Sequence, residues 1–193
     1  MDSAAQGRHH GGMNKAITAA IAALSTLLIP AAAPANLPQG VRAPQIVAEG
    51  ALAGKPFSFN LEQALKKGPV VLYFYPKAFT QGCTLEAHAF AEASDAFKAA
   101  GATVIGMSAD DLASLKRFST EACRDKFAVA IASPQTIAAY DVNLKKPDGS
   151  NTGLTSRTSY VIGKDRRVKF VHSNSDYRDH VRLTLQAVKA LRR

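Results

Sequence analysis

Two cysteines are the side chains of this sequence best suited to chemistry, and one has a distinctive local context. Residues 70–75 form an apolar run that is typical of a buried strand, and Pro76 ends it. A turn leads to Cys83, and the apolar pattern predicts one helix from there to about Ala100, stopped by Gly101. The expected stripe comprises Leu85, Ala89, Phe90, Ala93, Phe97 and Ala100. Cys83 therefore lies at a helix start, where free N–H groups and the helix dipole favour a nucleophilic thiolate.

The segment around Cys83 resembles the active-site segment of peroxiredoxins. Their pattern is Pro, three residues, Thr or Ser, two residues and Cys, and Pro76, Thr80 and Cys83 fill it. The flanking Phe-Tyr-Pro-Lys and Gly-Cys-Thr, with Glu86, are similar to the subgroup called peroxiredoxin Q or bacterioferritin comigratory protein. This resemblance implies a thiol-dependent peroxidase that reduces hydrogen peroxide and organic hydroperoxides without a metal or organic cofactor.

Peroxide reduction by a thiolate needs a donor that holds the peroxide and a positive charge for the departing oxygen. Thr80, about one turn before Cys83, can donate its hydroxyl to the peroxide; acting as a plain helix cap is the alternative. Pro76 fixes the turn and excludes water, or simply ends the strand. Arg157 is the expected positive charge, because residues 156–162 are similar to the peroxiredoxin segment in which an Arg precedes a strand.

The resemblance also assigns roles to Glu86 and Cys123. Glu86 matches the acidic residue of the subgroup and either positions Arg157 or caps the helix. In much of the subgroup the second cysteine comes five residues after the first, where this sequence has His88. Cys123 is the only other thiol, at a place where further members have their resolving cysteine. It is therefore expected to form a disulfide with Cys83, re-reduced by a thioredoxin-like partner; an inert Cys123 and an external thiol are the alternative.

Composition sets limits on the other functions. The formal net charge is +9, but the basic residues are scattered without a long run, so the charge does not indicate nucleic-acid binding. Two cysteines do not make a structural disulfide framework. We expect a monomer whose partners are a peroxide and a thiol reductant.

The N-terminal stretch has the form of a targeting segment. Residues 13–15 give a short positive region, and residues 16–29 are mostly apolar, shorter than the ~20 residues that span a bilayer. Ala-Pro-Ala at 33–35, or the alanine run before it, has the form of a cleavage site. We expect residues 1–35 to be an N-terminal extension with a signal peptide, and export to the periplasm. The mature domain, 36–193, is then not stably associated with the membrane; an uncleaved membrane anchor is the alternative.

The overall pattern predicts an α/β chain with a thioredoxin-like fold, a mixed central sheet and helices on both faces. Residues 102–108 form a second buried strand, expected to pair in parallel with residues 70–75 through a right-handed βαβ unit. Residues 158–162 and 168–172 predict an antiparallel hairpin. Ligand sites lie at the carboxyl ends of parallel strands, which is where Cys83 falls.

Smaller signals complete the expected element order. Asp110-Asp111 and Ser133-Pro134 predict helix starts. Residues 36–59 predict an arm and a hairpin, residues 144–156 a polar loop, and residues 177–191 a closing helix.

Three rival functions share this fold. A copper-binding protein would need two cysteines three residues apart and a distant histidine. His88 lies near Cys83, but the predicted helix carries only one cysteine, so the spacing fails. A thioredoxin-like disulfide carrier would need Cys-x-x-Cys, and Thr80 stands at the position of its first cysteine. A non-catalytic interaction domain is the third. His172 and His180 lack paired neighbours in the sequence and are expected on the surface.

Overall fold

The computed structural model describes residues 36–192. In chain order these contain β1 (Val47–Leu52), β2 (Lys55–Asn60), α1 (Leu61–Lys67), β3 (Val70–Phe74), α2 (Gln81–Glu92), α3 (Ser94–Ala99), β4 (Thr103–Ser108), α4 (Leu112–Glu121), β5 (Ala128–Ile131), α5 (Pro134–Ala139), β6 (Asn143–Lys145), β7 (Asn151–Thr155), β8 (Thr158–Ile162), β9 (Val168–Ser173) and α6 (His180–Ala190). The predicted signal segment, 1–35, lies outside the described residues. No helix within 36–192 is long and apolar enough to span a bilayer.

A mixed seven-stranded sheet organises the domain, in the order β2-β1-β5-β4-β3-β8-β9. Strands β3, β4 and β5 are parallel, whereas β8 runs antiparallel to β3 and β9 antiparallel to β8. The predicted parallel pairing of the two buried strands and the predicted C-terminal hairpin are both confirmed. The carboxyl ends of β3 and β4 therefore meet at one edge, beside the start of α2.

The central strand β3 is buried on both faces because its side chains alternate between two apolar clusters. Val71 and Tyr73 pack in a cluster with Phe90 of α2 and Phe118 of α4, which also contains residues of α3 and α6. Leu72 and its alternate neighbours pack in a second cluster with residues of α1 and α5. The sheet thus has helices on both faces, and the predicted thioredoxin-like fold class is confirmed.

The expected single helix after Cys83 is wrong in its extent and in part of its buried face. It is divided at Ala93 into α2 and α3. Phe90, Phe97 and Ala100 of the expected stripe are buried, but Leu85 is 41% exposed. The buried face of α2 also carries Cys83 and Glu86, which the stripe did not include. Alanines on several sides of the helix left the stripe ambiguous, and a buried carboxylate took a position that hydrophobic patterning assigns to solvent.

The starts of α4 and α5 follow the sequence signals. The carboxylate of Asp111 accepts the N–H of Ser114 at the start of α4, and Ser133 caps α5, whose first residue is Pro134. The expected polar loop at 144–156 instead contains the hairpin β6–β7. Backbone pairing makes this hairpin from polar residues that carry no strand pattern.

Candidate active site

Cys83 lies in the first turn of α2, and only 1% of it is exposed. Thr80 occupies the N-cap position, but its hydroxyl makes no cap bond to the helix. That hydroxyl donates to the carbonyl of Lys77 at 3.0 Å. The hydroxyl of Thr80 is therefore held one turn ahead of the thiol by its own loop, and the side-chain cap is not observed.

The loop that presents Cys83 is tied to the end of the neighbouring strand. The carboxylate of Asp110 accepts the backbone N–H of Ala78 and the hydroxyl of Ser108, each at 2.8 Å. Phe79 adopts a left-handed backbone conformation with φ of 64°, which is uncommon for a bulky residue, and its ring packs edge-on against Phe118. Sequence reasoning gave Asp110 only a helix-start role and missed this tether.

Arg157, just before β8, brings a positive charge directly to the thiol. Its Nη2 donates to Sγ of Cys83 at 3.4 Å, and Nη1 donates to a carboxylate oxygen of Glu86. Its Nε donates to the carbonyl of Ser175 at 3.0 Å. Because all three nitrogens are engaged, the guanidinium plane is fixed. The structure thus brings together Cys83, Glu86 and Arg157, which the sequence analysis selected.

Glu86 is fully buried one turn beyond Cys83. Burial raises the pKa of its carboxyl, and the Arg157 guanidinium opposes part of that rise. Glu86 contacts Arg157, which is the contact that a positioning role requires. Its second oxygen, Oε1, has no hydrogen-bond partner among the described residues and lies 3.7 Å from Nδ1 of His180.

The expectation that His172 and His180 lie on the surface is wrong for His180. It is fully buried at the first position of α6, with Nδ1 at 2.8 Å from the hydroxyl of Ser159 and Nε2 at 3.0 Å from the carbonyl of Asn174. The ring of His172 packs edge-on against it, with 4.5 Å between centroids. A single histidine at a helix start carries no sequence signal of burial, so contact with α2 and β8 decided its place.

Gly82 is a further residue of the site, which the sequence analysis named only as part of the family motif. A Cβ at this position would stand 3.2 Å from Nη2 of Arg157. The missing side chain therefore gives the guanidinium room to reach Cys83. A glycine directly before the cysteine was visible in the sequence, but its reason required the position of Arg157.

Cys123, the expected resolving cysteine, follows α4 and is fully buried as a free thiol. Cys83 is also free, and both belong to the same apolar cluster. Burial, with Asp125 nearby, raises the pKa of the Cys123 thiol well above its ordinary value. In this conformation Cys123 is therefore a neutral thiol. Pairing with Cys83 stays a prediction.

The described residues contain no group of three or more His, Cys, Asp or Glu side chains arranged to hold a metal ion. Pro76 and Thr80 lie on the loop before α2, and neither hydrogen-bonds to the Cys83 thiol in this structure. The arrangement is a buried thiol at a helix start with a fixed guanidinium against its sulfur, which favours an anionic sulfur.

Comparison with known proteins agrees with this arrangement. The model of the AhpC/TSA family matches residues 40–171. The chain belongs to the AhpC/TSA family. Within this family it belongs to the peroxiredoxin Q group, since it is 32% identical to the chloroplastic peroxiredoxin Q of Sedum lineare over 145 residues, covering 72% of each chain.

Other relatives and solved structures are consistent with this group. The chloroplastic peroxiredoxin Q of Arabidopsis thaliana is 36% identical over 126 residues, covering 62% of this chain and 54% of that protein. The chain thus spans little more than half of that relative. Peroxidoxin BcpB of Mycobacterium tuberculosis superposes with a TM-score of 0.70 at 28% identity, covering 80% of this chain and 98% of that one. Peroxiredoxin Q of Xanthomonas campestris gives a TM-score of 0.64 at 26% identity, covering 74% and 89%.

Proposed function

We propose that the protein is a thiol-dependent peroxidase in which Cys83 reduces hydrogen peroxide and organic hydroperoxides. The observation that carries the proposal is the contact of Arg157 with Sγ of Cys83 at 3.4 Å, at the start of α2. A fixed guanidinium and the helix N-terminus both stabilise a thiolate, which is the nucleophilic form of cysteine. Membership of the AhpC/TSA family supports the same reaction.

The chemical step is a displacement at oxygen. The Cys83 thiolate forms an S–O bond with one peroxide oxygen as the O–O bond breaks, and the other oxygen leaves as hydroxide or alkoxide and takes up a proton. The cysteine becomes a sulfenic acid. Arg157 donates to the reacting oxygens, and Pro76 keeps water from the loop. The Thr80 hydroxyl, which donates to the Lys77 carbonyl in this structure, turns to donate to the peroxide. Glu86 acts through Arg157 and is a positioning residue.

Organic hydroperoxides belong to the proposed substrate class on the strength of one solved relative. A structure concerned with the alkyl peroxide reduction activity of the Xanthomonas campestris bacterioferritin comigratory protein is 26% identical to this chain, with a TM-score of 0.66. Phe79, which is 40% exposed on the loop before Cys83, offers an apolar surface to an organic substrate.

Resolution of the sulfenic acid is proposed to use Cys123. Its thiol attacks the Cys83 sulfenic sulfur, forming the disulfide and releasing water. A disulfide requires ~2 Å between the sulfur atoms, while both thiols are free in this structure. A buried neutral thiol is a poor nucleophile, so the segment that carries Cys123 must open first.

The turn after Cys123 is suited to opening. Arg124 and Asp125 both have positive φ, at 50° and 60°. Left-handed residues other than glycine each cost ~1 kcal/mol or more. Because two such residues follow one another here, opening the turn relieves strain at both. Less free energy is then needed to leave the closed conformation.

The proposal also covers the reductant, the oligomeric state and the location of the protein. A thioredoxin-like dithiol returns two electrons to the Cys83–Cys123 disulfide, and no metal or organic cofactor takes part. We propose a monomer that does not bind nucleic acid. Residues 1–35 are proposed to direct export to the periplasm and to be removed, leaving 36–193 without stable membrane association.

The test is consumption of hydrogen peroxide by the reduced protein with a dithiol as electron donor. We expect turnover by the wild type and none by Cys83→Ser. Cys123→Ser should react once and then turn over only with an external thiol. A wild type no faster than free thiol, or a Cys83→Ser variant that keeps its rate, contradicts the proposal.

A further inference from the structure

The buried groups around Cys83 do not balance in charge when Cys83 is a thiolate and Glu86 is ionised. A Cys83 thiolate, the Arg157 guanidinium and an ionised Glu86 leave one net negative charge. Glu86 is fully buried and Arg157 nearly so. An uncompensated charge in such a place is costly. An ionised Glu86 would also compete with the thiolate for the same guanidinium.

A proton position next to Glu86 resolves this imbalance. Nε2 of His180 faces the carbonyl of Asn174, which only accepts, so Nε2 carries the hydrogen. In neutral imidazole Nδ1 is then an acceptor, and it faces the Ser159 hydroxyl at 2.8 Å and Oε1 of Glu86 at 3.7 Å. Oε1 has no other partner among residues 36–192. The Ser159 hydroxyl can supply a hydrogen to Nδ1, but no donor reaches Oε1, so a buried acceptor without a donor lies 3.7 Å from the imidazole. A proton held by this pair of groups removes the unpartnered acceptor.

We propose that Glu86 and His180 share one proton, so that the pair is neutral and Arg157 directs its full charge to the Cys83 thiolate. The inference rests on the proposed function in the role given to Cys83. His180 and Glu86 are positioning residues, because they act through Arg157 and do not touch the substrate.

The surroundings of the pair place this proton on Glu86. Burial raises the pKa of Glu86 to about 8. Burial lowers the pKa of His180 to about 4; His172 and Arg157 add to this, while the Asn174 carbonyl and Asp176 oppose it. Both changes favour neutral groups, with the proton on the carboxyl and none on Nδ1. Above pH ~8 the pair loses the proton, and Arg157 is then shared between two anions.

The first test replaces the carboxyl by its permanently neutral isostere. In a Cys123→Ala background, where Cys83 is the only thiol, the rate of iodoacetamide alkylation reports the thiolate directly. Glu86→Gln can accept from Arg157 through its amide oxygen and places an N–H on the side of His180, where the protonated carboxyl has its O–H. Its alkylation rate near pH ~6 should stay within about threefold of the background. A larger loss overturns the inference, because it shows that Arg157 needs an ionised Glu86.

The second test removes the proton acceptor. His180→Gln can still donate an N–H to the Asn174 carbonyl but has no imidazole nitrogen. We expect alkylation of Cys83 to slow by more than about threefold near pH ~6. Near pH ~9, above the pKa of Glu86, the rate should match the background, because Glu86 is ionised in both proteins. Equal slowing at both pH values would contradict the inference, because it indicates a merely structural role for His180. An unchanged rate at pH ~6 would contradict it as well.

Matched controls are available on the same helix. Glu92→Gln changes an exposed carboxylate of α2 that pairs with Arg124, and His88→Gln changes a half-buried histidine of α2. Neither should alter the pH profile. Alkylation does not involve peroxide, so the two proposals fail separately. If the protein shows these profiles but does not reduce peroxide, the shared-proton inference stands and the peroxidase proposal fails.

Discussion

At the residue scale, reactivity depends on how closely Arg157 approaches Cys83, and Gly82 sets that approach. A methyl group at position 82 would lie 3.2 Å from Nη2 of Arg157, so the guanidinium must move by a few tenths of an ångström. Glu86 and the carbonyl of Ser175 hold it from the other side.

Gly82→Ala should therefore slow the reaction of Cys83 with hydrogen peroxide by about tenfold. The fold should not suffer, because replacing a helical glycine by alanine ordinarily stabilises by ~0.5–1 kcal/mol. Stopped-flow oxidation and thermal unfolding of the same variant separate the two effects. Lower reactivity that comes with a lower melting temperature would contradict the explanation.

Glu86 also gives stability a pH dependence whose sign can be worked out. Its pKa is raised to about 8 in the folded protein, so the folded state keeps a proton that the unfolded state has lost. Stability therefore falls as pH rises towards 8. His180 titrates lower in the folded state, at about 4 against an ordinary value of 6.5, so it is neutral in both states above 6.5.

Between pH ~6.5 and ~8 we therefore expect the melting temperature of the wild type to decrease through Glu86. The Glu86→Gln variant should lose this decrease, because its amide does not titrate. Calorimetry at several pH values provides the measurement. A wild-type slope that survives unchanged in Glu86→Gln would show that Glu86 is ionised throughout this range.

At the element scale, β4 passes very close to the ring of Tyr73 on β3. A Cβ on Gly106 would lie 2.8 Å from this ring, and Tyr73 stacks on Phe90 of α2. This aromatic contact connects the sheet to the helix that carries Cys83.

Gly106→Ala should destabilise the protein by about 1–3 kcal/mol, because the tightly packed ring cannot retreat without strain. Gly163→Ala is the matched control, since the atoms its Cβ would meet belong to the flexible side chains of Lys169 and Asp165. Urea unfolding of both variants tests this. Equal losses at the two glycines would contradict the packing explanation.

Sequence reasoning was successful where local chemistry sets the structure. Pattern alone predicted the buried strand β3, its parallel pairing with β4, and the helix caps at Asp111 and Ser133. It did not find the burial of His180 or the tether made by Asp110, because both depend on contacts between elements distant in sequence. Arg157 was selected through family resemblance, since a single arginine before a strand has no local signal.

At the scale of the whole molecule, residues 36–192 contain two apolar clusters, one on each face of the sheet. The start of this range is held by the backbone N–H of Leu37, which donates to the hydroxyl of Tyr160 at 3.2 Å.

A protein that begins at Asn36 should therefore keep the melting temperature and peroxide rate of the full-length protein. Comparison of the two by calorimetry and by the peroxide assay tests the prediction. A truncated protein that unfolds at lower temperature or loses activity would show that residues 1–35 contribute to the domain.

The central claim is that Arg157 makes Cys83 a peroxide-reactive thiolate, and the most direct measurement is the rate of its first oxidation. Reduced Cys123→Ala protein is mixed with hydrogen peroxide in a stopped-flow instrument, with and without Arg157→Lys. We predict a rate constant orders of magnitude above that of free cysteine, and a loss of about a hundredfold in Arg157→Lys, because an ammonium does not keep the directed contacts of the guanidinium. A Cys83 that oxidises no faster than free cysteine, or an Arg157→Lys variant as fast as its parent, would contradict the claim.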